Sequence, residues 1–183
     1  MSVVKKSEGK NLEERLHLLT KSFDELIAEP IEAKTEASRK YITFSLGHEC
    51  FALLLSDIRE VLINQRIIPV PVQDRAIHGV VNYKNEILPV INLHHLLGLI
   101  STVAGKTNTL LLTRGLPAEA ALLAEEIVAI LAIPDGAIKP KPICLDQDTE
   151  KMIVGEFYHQ GRLITLLNTV SITDSSDNEV LIR

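Results

Sequence analysis

Gly79 to Leu93 reads GVVNYKNEILPVINL, and a related stretch returns at Gly155 to Thr169 as GEFYHQGRLITLLNT. At a constant offset of 76 residues, Gly79 falls on Gly155, Asn85 on Gly161, Ile87-Leu88 on Leu163-Ile164, Val90-Ile91 on Leu166-Leu167 and Asn92 on Asn168. Each copy has two apolar-rich runs around a short polar step that contains Asn85 or Gly161. Those residue types enter the left-handed backbone region at least cost, so each copy predicts a β-hairpin. Strands share composition by chance, but coincident Gly and Asn positions exceed that background.

Working outward, a second pair aligns without a gap at an offset of 69 residues: FALLLSDIREVL from Phe51 and AALLAEEIVAIL from Ala120. Ile68-Pro69 also answers Ile133-Pro134 at an offset of 65. Upstream, YITFSL places Ile42, Phe44 and Leu46 on one face, Gly47-His48-Glu49 reads as a turn, and FALLL resumes as a strand. Ser56-Asp57 can cap a helical turn, SDIREVL, because their side-chain oxygens accept from the first free amides. Pro69 and Pro71 predict an extended edge segment. The expected architecture is mainly β: two similar antiparallel units, each about half of the domain.

Residues 1–40 carry 16 charged side chains and a single Gly, against 27 charged side chains and eight Gly in residues 41–183. That shift predicts an N-terminal helical extension and linker over 1–39, a β domain over 40–174 and an acidic tail over 175–183. In the extension, Leu12, Leu16, Leu19, Phe23 and Leu26 fall on one helical stripe that Pro30 should end. A helix this short is marginal unless its stripe is buried, whether on its own domain, on a second copy or on a partner helix.

With 19 Lys and Arg against 24 Asp and Glu, the net charge is −5, and three Tyr, four Phe and no Trp leave few platforms for bases. Nucleic acid is therefore an unexpected partner. Cys50 and Cys144 match no zinc or CxxC spacing, the start MSVVKKSEGK lacks a signal-peptide core, and no apolar run approaches bilayer length. A cytoplasmic chain with reduced thiols and no membrane insertion is expected. AGKT at 104–107 has Ile100 where a phosphate loop needs Gly, and it precedes a strand-like segment rather than opening a helix. His94-His95 point apart on any regular element, so they read as surface histidines rather than metal ligands. Cys50 sits in a hairpin expected to be buried, and no GxSxG elbow exists. Lys139-Pro140-Lys141-Pro142 reads as a stiff connection. No cofactor, metal or catalytic residue is expected, and the chain reads as a non-enzyme.

RAIHGVVNYKNEILPVINLHHLLGL, Arg75 to Leu99, resembles the CheW-like domain of bacterial chemotaxis, whose hallmark pattern is G-V-x-N-L-R-G-x-I-x-P-V-x-D-L-R-x-x-x-G. The resemblance extends in weaker form over residues 41–172, with YITFSLGHECFALLLSDIREVL similar to the family's first hairpin and GEFYHQGRLITLLNTVSI to its closing one. It implies two Src-homology-3-like five-stranded β-barrel subdomains with short helices, no catalysis, and an adaptor between chemoreceptors and a histidine kinase. One barrel edge would face the regulatory domain of the kinase, and the groove between barrels would take the cytoplasmic tip of a receptor.

On the matching residues, Ile58, Glu60 and Val61 correspond to the receptor-facing part of the pattern, with Val80 and Asn82 leading into the hallmark turn Lys84-Asn85. The resemblance assigns apolar contact to Ile58, Val61, Ile87 and Leu88, and orientation to Glu60 and Lys84. The family's Arg-Gly turn is here Lys84-Asn85, which keeps a charge but loses the planar fork that grips a carboxylate bidentately. Its Asp is Asn92, and the acid expected in the second unit is Glu125 after Ala124. These departures keep two alternatives open: an adaptor of a surface-motility pathway, or a regulatory or receiver-linked fragment of a larger signalling protein. A small-molecule-binding β domain is a third, which predicts a deep polar pocket between the barrels.

Overall fold

A computed structural model describes residues 37–71, 75–99, 108–115, 119–141 and 147–175. The leucine-striped helix, AGKT, Cys144 and the tail from 176 lie outside the described residues. Eleven strands are described: β1 (Ser38–Leu46), β2 (Glu49–Leu54), β3 (Ile58–Ile63), β4 (Ile77–Tyr83), β5 (Glu86–Asn92), β6 (Thr109–Thr113), β7 (Ala121–Ala124), β8 (Glu126–Pro134), β9 (Lys139–Pro140), β10 (Ile153–His159) and β11 (Arg162–Leu167). Three short helices follow strands or precede them: α1 (Leu93–Leu96), α2 (Gln147–Met152) and α3 (Thr169–Ser175).

The strands form two sheets, β8-β1-β2-β11-β10-β9 and β3-β6-β7-β5-β4. We refer to them as barrel one and barrel two. The ladders prove the repeat. In barrel one Leu166 pairs in parallel with Ala52, and in barrel two Val90 pairs in parallel with Ala121, which reproduces both the 76- and the 69-residue offsets. The halves are nevertheless not consecutive. The β1–β2 hairpin comes first among the described strands but pairs with β11 and β8, whereas β6 and β7 pair with β3 and β5. Each repeat gives its first hairpin to the other, and the chain crosses between barrels after β2 and after β7.

Two sequence expectations change with this topology. Only Leu55–Asp57 is helical, as one 3-10 turn without a side-chain cap, and IREVL continues as β3 because it pairs with β6. The match of Ile68-Pro69 to Ile133-Pro134 gives way to a different one. A Cβ on Gly79 would lie 2.5 Å from the Ile68 carbonyl oxygen, and one on Gly155 would lie 2.5 Å from that of Lys139. Ile68-Pro69 is therefore equivalent to Lys139-Pro140, the short crossing strand that closes each barrel. Glycine is needed at both positions because the closing segment's backbone lies where a side chain would stand.

Packing explains the apolar runs. Barrel two has its own core of Val81, Tyr83, Leu88, Val90, Leu110, Leu112 and Ala121, and barrel one has Tyr41, Ala52, Ile133, Phe157, Ile164 and Leu166. The largest buried cluster lies between them and takes Ile42, Phe44, Leu46 and Leu53 from one side and Ile91, Leu93, Leu111 and Leu122 from the other. Strand β6 is buried on both faces because alternate residues feed its own core and the interface, which is why TLLLT shows no polar alternation.

Both repeated hairpins turn through two left-handed residues, Lys84-Asn85 with φ 49° and 70° and Gln160-Gly161 with φ 50° and 76°. This is the two-residue turn whose twist matches the flanking strands, as expected from Asn85 and Gly161. The Asn positions share a second role. Asn92 Oδ1 accepts from the His95 amide to cap α1, and Asn168 Oδ1 accepts from the amides of Val170 and Ser171 at the start of α3.

Candidate partner-binding site

The β4–β5 tip is organised around Tyr83, whose ring belongs to the core of barrel two while its hydroxyl reaches the surface. That hydroxyl donates to Glu60 Oε2 on the adjacent edge strand β3. The Lys84 ammonium donates to the same oxygen at 3.3 Å and lies 4.6 Å from the Tyr83 ring centroid. The Arg59 guanidinium sits 5.2 Å from the same centroid, bonds Glu119 at 2.7 Å and lies 3.6 Å from Glu86. Buried aromatic support and several partners hold these charges in place, so side chains that would otherwise wander are ordered before any partner arrives.

Electrostatics follow from the same contacts. The Tyr83 hydroxyl, with Lys84 adding to it, holds the Glu60 carboxyl below its ordinary range. Tyr83 and the Glu60 carboxylate push the Lys84 ammonium above its ordinary value.

The eight residues singled out in the sequence divide cleanly. Glu60 and Lys84 are joined by a bond, and Lys84, Asn85, Asn82 and Ile87 are exposed around the turn, with Ile87 at 71%. Val61 is half-buried against the interface cluster. Ile58 and Leu88 are buried in the interface and in the barrel-two core, so their side chains serve packing and offer no surface to a partner. Arg59, Tyr83, Glu86 and Glu119 complete the site and were not singled out. Glu119 reaches it only through the β6–β7 connection, which no local pattern announces.

A second feature lies between the barrels: a groove of about 1290 Å³ lined in part by Ile63, Thr109, Glu126, Val128, Arg162 and Leu163. None of the eight residues lines it, Ile58, Glu60 and Val61 included. Of its exposed apolar members Ile63, Val128 and Leu163, the first two come from the equivalent edge strands β3 and β8. Cys50 lines it as well and is half-buried rather than enclosed. His95 is exposed, as expected, but His94 is not a surface histidine. It is buried, with Nε2 3.1 Å from Glu125 Oε1, because the cap on Asn92 starts α1 with this position turned inward.

A CheW-like domain profile matches residues 40–177. The chain belongs to the CheW-like family. The chain is 23% identical over 145 residues to the chemotaxis protein CheW of Rhizobium meliloti (strain 1021), covering 79% of this chain and 94% of that protein. A CheW of Treponema pallidum (strain Nichols) is 34% identical over 53 residues, 29% of this chain and 31% of that relative. The crystal structure of the scaffolding protein TtCheW from Thermoanaerobacter tengcongensis superposes with a TM-score of 0.68 at 22% identity, over 79% of this chain and 99% of that one. It shares the fold, two Src-homology-3-like barrels. The CheW-like family is one of chemotaxis scaffold and adaptor proteins. Among the described residues, no helix is long and apolar enough to cross a membrane, and no group of three His, Cys, Asp or Glu is placed to hold a metal ion.

Proposed function

We propose that this CheW-like chain is a non-catalytic adaptor that couples chemoreceptors to a histidine kinase. The hallmark turn would face the kinase regulatory domain and the inter-barrel groove the cytoplasmic tip of a receptor. The observation that carries the reading is the Glu60–Tyr83–Lys84 arrangement: a charged pair at the surface, 41% and 67% exposed, fixed by an aromatic ring rooted in the core and set beside exposed Ile87. Ordered charges next to an apolar side chain suit a reversible protein interface, with net affinity raised by many copies acting together.

Lys84→Glu places a carboxylate against Glu60 and removes the cation, and we expect at least a tenfold loss of kinase binding by calorimetry. Gln160→Glu, at the equivalent turn of barrel one, serves as the control and leaves binding unchanged. Equal behaviour of the two variants would remove the hallmark turn from the interface. A surface-motility adaptor is the second reading, favoured by the Lys84-Asn85 turn in place of Arg-Gly. A pull-down from the host with this chain as bait separates the two by the kinase recovered.

A further inference from the structure

The second crossing between the barrels consists of one residue, Glu125, between β7 and β8. Contacts from both barrels converge on it, among them two from each. From barrel one, the Glu125 amide donates to the Ser45 carbonyl at 3.2 Å, and Glu125 Oε1 accepts from the Gly47 amide at 2.8 Å. From barrel two, the Thr109 hydroxyl donates to the Glu125 carbonyl at 3.1 Å, and His94 Nε2 lies 3.1 Å from Oε1. The His94 and Glu125 side chains are only 6% and 5% exposed. At the equivalent position of the first crossing, Ser56 is exposed and its hydroxyl bonds only its neighbour Asp57.

Glu125 also lines the groove, together with Ser45, Gly47 and Thr109, three of the residues that bond it. We infer that Glu125 and His94 form a latch that sets the spacing of the β1–β2 turn, α1 and the second crossing, and thereby the width of the groove. A buried carboxylate that loses one partner keeps its desolvation cost, so the site either holds both barrels or opens locally. Local opening does not require unfolding, because each barrel keeps its own core. The latch acts on whichever partner fills the groove and does not depend on the assignment of the hallmark turn.

Cys50 lines the groove and reports its opening. In full-length protein carrying Cys144→Ser, thiol alkylation by N-ethylmaleimide and amide hydrogen exchange are compared across Glu125→Ala, Glu125→Gln and His94→Ala. Release of the latch raises the Cys50 alkylation rate and Gly47 amide exchange roughly tenfold or more, while the amides of Leu111 and Leu166 stay protected. Glu125→Gln keeps Oε1 as an acceptor for both the Gly47 amide and the His94 Nε2–H, and it stays close to wild type. If Glu125→Ala fails to fold, His94→Ala against Glu125→Gln gives the same test. Unchanged Cys50 and Gly47 rates would overturn the latch, as would a parallel loss of protection at Leu111 and Leu166, which marks a merely structural pair.

Discussion

The β4–β5 hairpin turns through Lys84 and Asn85, and the β10–β11 hairpin through Gln160 and Gly161, with φ values that agree within a few degrees at each position. The two share a backbone but differ in what surrounds the turn. Beside Lys84 stand Glu60, Arg59 and Tyr83. At the equivalent positions of barrel one the sequence has Ala129, Val128 and His159, and Tyr158 instead carries a cation, Lys139, 5.2 Å from its ring centroid. A duplicated scaffold keeps the residues that close each barrel and varies those that face outward. The contrast between shared backbone geometry and altered side-chain chemistry separates the barrel-closing positions from the outward-facing ones in this chain.

The contrast is broken most severely at the glycines. Gly79→Ala and Gly155→Ala each drive a methyl group into the backbone of a closing segment, and each is expected to cost about 1–3 kcal/mol in denaturant unfolding. Similar losses show that both barrels depend on the same close approach. A loss confined to Gly155 would show that the single Ile68–Val80 bridge gives way more easily than the two-residue β9 ladder.

The turns give a smaller and opposite pair of effects. Gly161→Ala forces an L side chain into the left-handed region and is expected to destabilise by about 1 kcal/mol, whereas Asn85→Gly relieves a milder strain and stabilises by less than that. Paired melting curves read the sign directly. An unchanged or lowered Tm in Asn85→Gly would mean that the Asn85 side chain makes a contact worth more than the strain.

The smallest effect concerns pH and separates the two tips, since Ala129 and Gln160 do not titrate. The folded-state value of Glu60 is depressed, so its contribution is fully present above the ordinary glutamate value of about 4.3 and fades as pH falls through the folded value. Lys84 is shifted upward, so its contribution is present below the ordinary lysine value of about 10.4 and fades as pH rises through the folded value. The Tm-against-pH curves of wild type and Glu60→Gln therefore separate at neutral pH and converge in acid. A constant separation through acid would remove the Tyr83–Glu60 bond as its cause.

Asn82, Lys84, Asn85 and Ile87 were legible as one group because they surround one turn and turn chemistry is local, while their reading as contacts came from the family resemblance. Ile58 and Leu88 came forward as contact residues through the family resemblance, and apolar character in a sequence cannot separate a core face from a surface one. Arg59 and Glu119 were not legible because their pairing joins β3 to the segment before β7 across 60 residues. The helical reading of SDIREVL rested on the capping potential of Ser56-Asp57, which the β3–β6 ladder outweighed.

By itself the sequence determined most of the strands (though not β3), the two hairpins with their left-handed turns, and the duplication, because alternation, turn residues and constant offsets are properties of neighbouring positions. Only the tertiary structure decided that the repeats exchange their first hairpins, that His94 is buried on Glu125, and that the groove is separate from the hallmark turn. Consecutive and exchanged repeats contain the same local hairpins and expose the same sequence pattern. The choice between them rests on parallel pairings such as Leu166 with Ala52 and on the apolar cluster shared by both barrels, contacts between residues far apart in the chain.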